Sequence, residues 1–443
     1  MREDEAVTEA PTDDPVAAAP PESRSAAALA RYRERNRRAR LVYFGVVGVV
    51  VAALVATVAV AWSRGEAAHA SLHTITAAPS PLAVQSPAPR PRPVWHTGDR
   101  AALGVPQWSG TVITYSRHTV GGRDARTGKP TWTYTRSDRE VCTAAQAGGT
   151  TIAVYEVHGN CDELGAFDSQ TGQRRWTRTL DKDGKPIDGR PAYQVLSFTF
   201  LVSSGTSIYA IDPGTGQDRW TYYRSGCHIG RVVLGSAGAL ISQTCSAGVK
   251  CSGLKFCATG PQLFLRDGVQ GNGKDDDPNR DQIKWLRRGD AGTPVSADQV
   301  ITTLTGDRSL QVLAASTGAP GQVLRLRVPA GSAAGSVASG TSSDEIIWLA
   351  GTTYAVGNDS PRPRWAVATP AAPTVVSTGA SDEVPVLEAA RITVPLGGAV
   401  ALLNGSTGRV VRRLPATAAA GSRVWPLGAG LLVTSPAGTS AYR

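Results

Sequence analysis

Apolar and polar residues alternate in short runs over most of this chain, and one long stretch breaks the rule. Residues 41–62 (LVYFGVVGVVVAALVATVAVAW) are 22 positions without a charged side chain. At about 1.5 Å rise per residue, a helix of that length crosses a hydrocarbon core of about 30 Å. A single transmembrane α-helix is therefore predicted over 41–62. From about residue 94 onward, short alternating runs are split by Gly, Ser, Asp and Thr-Gly, as in 151–157 (TIAVYEV) and 207–211 (SIYAI). Period-two runs at short spacing predict β-strands. No amphipathic helical pattern of useful length follows residue 62.

The strands repeat. Asp124, Asp168 and Asp212, spaced 44 residues apart, each open a D-x-x-T-G-x-x-x-W phrase. The phrases run through Gly128, Gly172 and Gly216 to Trp132, Trp176 and Trp220. Decayed copies follow: Asp267 with a late Trp285, Thr317-Gly318 without a Trp, Trp365 without a Thr-Gly, and Asn404 to Gly408 with Arg412 in the Trp position. The two chain ends supply half-copies. Trp95 is a repeat's tail without a front, and the run closing at Tyr442 is a front without a tail. A fixed period of this size indicates a stacked or radial repeat, and joining the first strand to the last unit closes a ring without free edges. The predicted fold is all-β, an eight-bladed β-propeller, with seven blades as the alternative count, preceded by the transmembrane helix.

Within the phrase, Asp can accept backbone N–H bonds in its own turn, Gly can take φ > 0, and Trp buries a large ring with one N–H to donate. The strand plus D-x-x-T-G-x-x-x-W resembles the quinoprotein-type, PQQ-like β-propeller repeat over about 94–443, and BamB-like proteins of the bacterial envelope among its non-catalytic members. The resemblance implies that each blade's Trp docks on a neighbouring blade. Asp124, Gly128, Trp132, Asp168, Gly172, Trp176, Asp212, Gly216 and Trp220 are thus expected to be structural, blade-docking residues. It also implies a scaffold, with a pyrroloquinoline-quinone sensor or dehydrogenase-like protein as the alternative. Quinone-binding relatives carry long insertions, a calcium site and often an adjacent Cys pair, and this chain has no adjacent cysteines. No cofactor, metal site or catalytic residue is expected, and the reading is non-enzymatic.

Charge and composition set the surroundings. Residues 1–40 are poor in large apolar side chains until an Arg-rich end, and read as a disordered cytoplasmic tail. The Arg cluster beside the apolar run puts the N-terminus inside by the positive-inside rule, and it abuts a membrane signal, so nucleic acid is not an expected partner. A forty-residue leader before an apolar run this long argues against a cleaved signal peptide. Residues 63–93, rich in Ala, Ser and Pro, read as an extended linker, and 94–443 as the extracytoplasmic propeller domain. The net charge of +10 lies beyond residue 40, because the first forty residues hold eight acidic and eight basic side chains.

All six cysteines, Cys142, Cys161, Cys227, Cys245, Cys251 and Cys257, follow the apolar run. Six cysteines allow 15 pairings. The repeat register favours sequential pairs, with Cys142–Cys161 and Cys227–Cys245 each on adjacent strands of one blade and Cys251–Cys257 closing a short loop. With no C-x-x-C, zinc is disfavoured, and Asp275 to Asp277 lacks the spaced ligands of a calcium loop. Residues 271–282 and 245–257 depart most from the repeat and are the expected face for an envelope protein partner.

Overall fold

The computed structural model describes residues 24–64, 66–82, 87–104, 110–182, 185–187, 190–196, 198–247, 259–267, 283–289, 292–298, 300–326, 337–338, 344–349, 351–357, 360, 362–375, 391–396, 398–418 and 422–443. The chain divides into two units, residues 1–68 and 69–443. One α-helix, Arg24–Arg64, occupies the first. Its stretch Glu34–Val58, of mean hydropathy 2.6, is long and apolar enough to cross a membrane, as an anchor or a signal sequence would be. The helix starts well before residue 41. Residues 24–40, assigned to the disordered tail, are helical because their many Ala and Arg are good helix formers.

The second unit is an eight-bladed β-propeller of antiparallel blades, and blades 1 to 7 each take four strands in chain order. Blades 1 to 7 span residues 100–136, 140–179, 192–223, 227–288, 293–324, 337–368 and 374–414. Blade 8 takes three strands from the C-terminus, Arg423–Leu427, Gly430–Ser435 and Gly438–Tyr442, and its fourth from Pro93–Thr97. That strand pairs Trp95 with Ala441 and His96 with Ser440. The two half-repeats at the chain ends thus make one blade and close the ring.

First strands of neighbouring blades approach one another, as Ala192–Leu196, Cys227–Gly235 and Thr293–Ala297 do, so they line the axis. Second and third strands are enclosed on both faces, and Thr199–Ser203 and Ser207–Ile211 are buried throughout. Fourth strands lie outside and alternate, as in Arg174–Thr179. The core sits between blades: Ile152 and Val154 of blade 2 pack with Phe200 and Val202 of blade 3. This topology gives the ring two rims. One carries the Thr-Gly turns between third and fourth strands. The other carries the second-to-third-strand turns and the connections between blades.

The predicted linker is part of the body. Ala70–His73 adds a fifth strand to the outer edge of blade 1, with Ala70 opposite Arg136 and His73 opposite Thr133. The chain then crosses the Thr-Gly rim as a strap. Ile75 N–H donates to Thr171 O of blade 2 (3.0 Å), and the Arg126 guanidinium of blade 1 donates to Ser80 O and Pro81 O (2.7 and 2.9 Å). Leu82 is buried with Val112 and Ala125 of blade 1 and Leu427, Leu432 and Ala441 of blade 8. Arg412 of blade 7 donates to Pro87 O (3.0 Å), and Ala88 N–H to Ala429 O of blade 8 (3.2 Å). The strap therefore covers the seam where the ring closes, and burying Leu82 there contributes about 1.5–3 kcal/mol.

Candidate functional site: a charged cleft opposite the Thr-Gly rim

The repeated phrase builds one device at successive seams. Asp168 Oδ1 accepts the N–H groups of Gln170 and Thr171 (3.0 and 2.9 Å), and Gly172 N–H returns to Asp168 O (2.9 Å). Burial raises the Asp168 carboxyl, but these donors and Arg175, 2.7 Å away, outweigh it and leave it below its ordinary range. The turn presents the next residue's carbonyl to the preceding blade. Trp132 Nε1 donates to Ser169 O (3.0 Å), Trp176 to Pro213 O (2.9 Å), Trp285 to Ala315 O (2.9 Å), Trp365 to Gly405 O (2.9 Å) and Trp95 to Ala125 O (3.1 Å). Each ring lies against the Gly of the same turn: a Cβ on Gly172 would stand 2.6 Å from Trp132 Cγ.

Trp220 has a different neighbour. The guanidinium of Arg266, fully buried in blade 4, stacks 4.6 Å from its ring centroid, a cation–π contact. Gly268, which holds the carbonyl position used elsewhere, lies outside the described residues. Trp132, Trp176 and Trp220 thus meet the following blade, Gly128, Gly172 and Gly216 lie against rings of the preceding one, and Asp124, Asp168 and Asp212 hold their own turns.

Two disulfides form, Cys142–Cys161 in blade 2 and Cys227–Cys245 in blade 4. Cys227 and Cys245 sit directly opposite on adjacent strands. Cys142 and Cys161 do not. They lie on the first and third strands, Glu140–Ala147 and Asn160–Asp168, and their bond passes over the end of the second. Cys142 is the unpaired residue of a bulge between Val141 and Thr143, and Asp162, next to Cys161, is the unpaired residue opposite Tyr155 and Glu156, while Cys161 itself pairs with Glu156. Cys251 and Cys257 lie outside the described residues, as does 271–282.

On the rim away from the Thr-Gly turns, blades 8, 1, 2 and 3 surround a cleft of 480 Å³. Its polar lining comes from Arg100 and Arg117 of blade 1, Glu140 and Glu156 of blade 2, and Arg190 and Tyr193 leading into blade 3, with Cys142 and Cys161 also lining it. Arg117 Nε donates to Glu140 Oε1 (2.7 Å), and Arg190 Nη2 to Glu156 Oε2 (3.4 Å). The Arg117 hydrogen bond holds the Glu140 carboxyl below its usual range. Tyr193 OH donates to Cys161 O (3.2 Å), and burial raises its phenol. The arginines are exposed, Arg117 at 73% and Arg190 at 80% of side-chain area. Pairs this wet are held weakly and can exchange partners. None of these charged residues was singled out from sequence. Their only signal is position, with Glu140 two residues before Cys142 and Glu156 five before Cys161.

The family profile described as outer membrane protein assembly factor BamB matches residues 50–231. Over those residues the chain matches the PQQ-like repeat, and the second unit as a whole has the propeller fold. Among solved structures it is similar to BamB from Moraxella catarrhalis, at 16% identity and TM-score 0.47, covering 80% of this chain and 99% of that one. It is similar to the computationally designed Ika8 protein at 11% identity and TM-score 0.51, covering 79% and 98%. Quinohemoprotein alcohol dehydrogenase from Comamonas testosteroni matches at 12% identity and TM-score 0.47, covering 80% and 76%. No curated protein matches the chain.

A quinone with calcium is the cofactor this repeat family brings into question, and the cleft does not fit it. The described lining offers two carboxylates, Glu140 and Glu156, whereas calcium needs six to eight oxygen ligands. The cleft disulfide joins residues 19 apart rather than adjacent cysteines.

Proposed function

We propose that this PQQ-like propeller is a non-catalytic scaffold of the bacterial cell envelope, anchored by its N-terminal helix, with the propeller extracytoplasmic and the cleft holding a protein partner. The observation that supports this most is the division of labour between residues. The repeat's Asp, Gly and Trp are spent on joining blades, while charged side chains from successive blades collect at one cleft with exposed, exchangeable ion pairs. Such a surface suits polar segments of another polypeptide, because each Arg–Glu pair can open to receive an incoming carboxylate or cation. The Arg-rich stretch before the apolar run favours an N-terminus on the cytoplasmic side.

Site-specific photocrosslinking in cells tests the reading. A crosslinker at Arg117 is expected to trap a defined protein, and one at Arg174, on an outer strand, is not. Recovery of only lipid and self-adducts from Arg117 would count against a partner-binding cleft. The quinone alternative has its own test. Adding pyrroloquinoline quinone with calcium to the purified chain is expected to leave its melting temperature unchanged, and a saturable rise would support that alternative.

A further inference from the structure

The two disulfides sit in different surroundings. Cys227 and Cys245 are buried, at 8% and 3% exposure. Cys161 is buried too, at 1%, but Cys142 is only half-buried and both line the cleft, where a small reductant can reach the Cys142 sulfur. A carboxylate oxygen of Glu156 and the two sulfurs lie within 4.8 Å of one another, the one such group among the described residues. We propose that the Cys142–Cys161 bridge is a redox-gated metal site: when reduced, the two thiolates and Glu156 bind a zinc-type divalent ion, with a fourth position open to the cleft.

The chemistry balances with a dithiol reductant. It gives two electrons and two protons, breaks the Cys142–Cys161 bond to two thiols, and closes its own disulfide. The ion then displaces both thiol protons to solvent. Zinc holds thiolate sulfur at about 2.3 Å and carboxylate oxygen at about 2.0–2.2 Å in a tetrahedron, so the sulfurs need to part to only about 3.8 Å. Cys142 is the unpaired residue of a bulge, and Cys161, paired with Glu156, adjoins a second one at Asp162. Two thiolates, one carboxylate and a divalent ion leave one net negative charge, which Arg190 beside Glu156 offsets. Thiolate ligands select zinc over calcium or magnesium. A disulfide oxidant reverses the step: it takes two electrons from the thiolates and two protons from solvent, becoming two thiols, while the Cys142–Cys161 bond re-forms and the ion is released to solvent, so the site exists in one redox state only.

Cobalt(II) reports the site directly in the full chain in detergent. After reduction by a dithiol and its removal without air, one equivalent of cobalt is expected to give the thiolate charge-transfer band in the near ultraviolet and tetrahedral ligand-field bands. The oxidised chain is expected to give neither. Zinc should displace the cobalt and abolish the bands. The double substitution Cys142→Ser with Cys161→Ser should remove them. Glu156→Gln, which keeps the disulfide for folding, should weaken cobalt binding at least about tenfold, since losing even an outer-shell partner costs that much. Three results would overturn the proposal: no band after reduction, bands of full strength in the double Ser variant (placing them on other cysteines), or unchanged affinity in Glu156→Gln.

Discussion

Gly172 and Gly159 both hold a left-handed backbone, φ 77° and 85°, yet meet different surroundings. A Cβ on Gly172 would stand 2.6 Å from Trp132 Cγ, whereas one on Gly159 meets nothing within 4 Å. Gly159→Ala should therefore cost only the backbone strain, about 1 kcal/mol. Gly172→Ala adds a clash with a ring fixed at the seam and should cost about 2–4 kcal/mol. Paired thermal melts check this, and equal losses would mean that the ring yields freely. A second residue-scale effect lies between blades 4, 5 and 6. Glu345, 1% exposed, accepts a hydrogen bond from Ser296 Oγ (3.0 Å) and faces Asp298, whose Oδ1 accepts Ser236 N–H (2.7 Å). Burial first, and then the Asp298 charge, push the Glu345 carboxyl up to about 9 from 4.5. The folded state thus keeps a proton that the unfolded chain releases near 4.5. This group's stability contribution is complete below that pH and is lost as pH rises towards about 9. Glu345→Gln keeps a neutral side chain without titrating, so its melting temperature should exceed the wild type's by several degrees at about pH 8, with the gap closing towards about pH 4. Parallel curves would mean that Glu345 titrates normally. Glu345 was not legible in sequence, because burial of a lone Glu depends on which blade packs over it. The Asp-Thr-Gly-Trp residues were legible, because their spacing repeats.

The element that sequence misread is the strap. Its Pro, Ala and Ser composition reads as a spacer, and most of its attachments use backbone groups, Ser80 O, Pro81 O and Ala88 N–H, which leave no side-chain signature. Leu82 is a buried apolar residue that anchors it, and an isolated Leu among Pro, Ala and Ser carries little weight. Leu82→Ala should cost about 2–4 kcal/mol where the site cannot collapse. Hydrogen exchange should then accelerate in Thr111–Tyr115 of blade 1 and Gly430–Ser435 of blade 8, the strands beneath it. Ile301–Leu304 in blade 5 should be unchanged. Uniform acceleration across all blades would mean that the seam is not a local unit. The Cys142–Cys161 bridge was half legible for a related reason. The repeat register suggested its partners, but only the two bulges explain why it skips a strand.

At the scale of the whole molecule, the ring could be read from its broken repeats, because Trp95 and Tyr442 are complementary halves of one blade. The cleft could not, because its charges come singly from strand ends, a turn and a connection of blades 1, 2 and 3, which meet only when neighbouring blades pack. This contrast separates folding from binding. Seams are held by buried Trp rings and by strands enclosed on both faces, none of which involves Arg117 or Arg190. The cleft pairs are exposed, with Glu140 at 44% and Glu156 at 30% opposite their still more exposed arginines, and solvent screens them strongly. Replacing both, Arg117→Ala with Arg190→Ala, should leave the melting temperature at the wild-type value while abolishing the protein adduct formed by a crosslinker at neighbouring Ser116. Trp365→Ala, at a seam far from the cleft in the chain, should do the reverse, lowering stability by about 3–5 kcal/mol with the adduct retained below the melting temperature. If the double Arg variant instead unfolds the ring, the cleft charges belong to the fold. If it is stable and still forms the adduct, the partner binds elsewhere on the propeller.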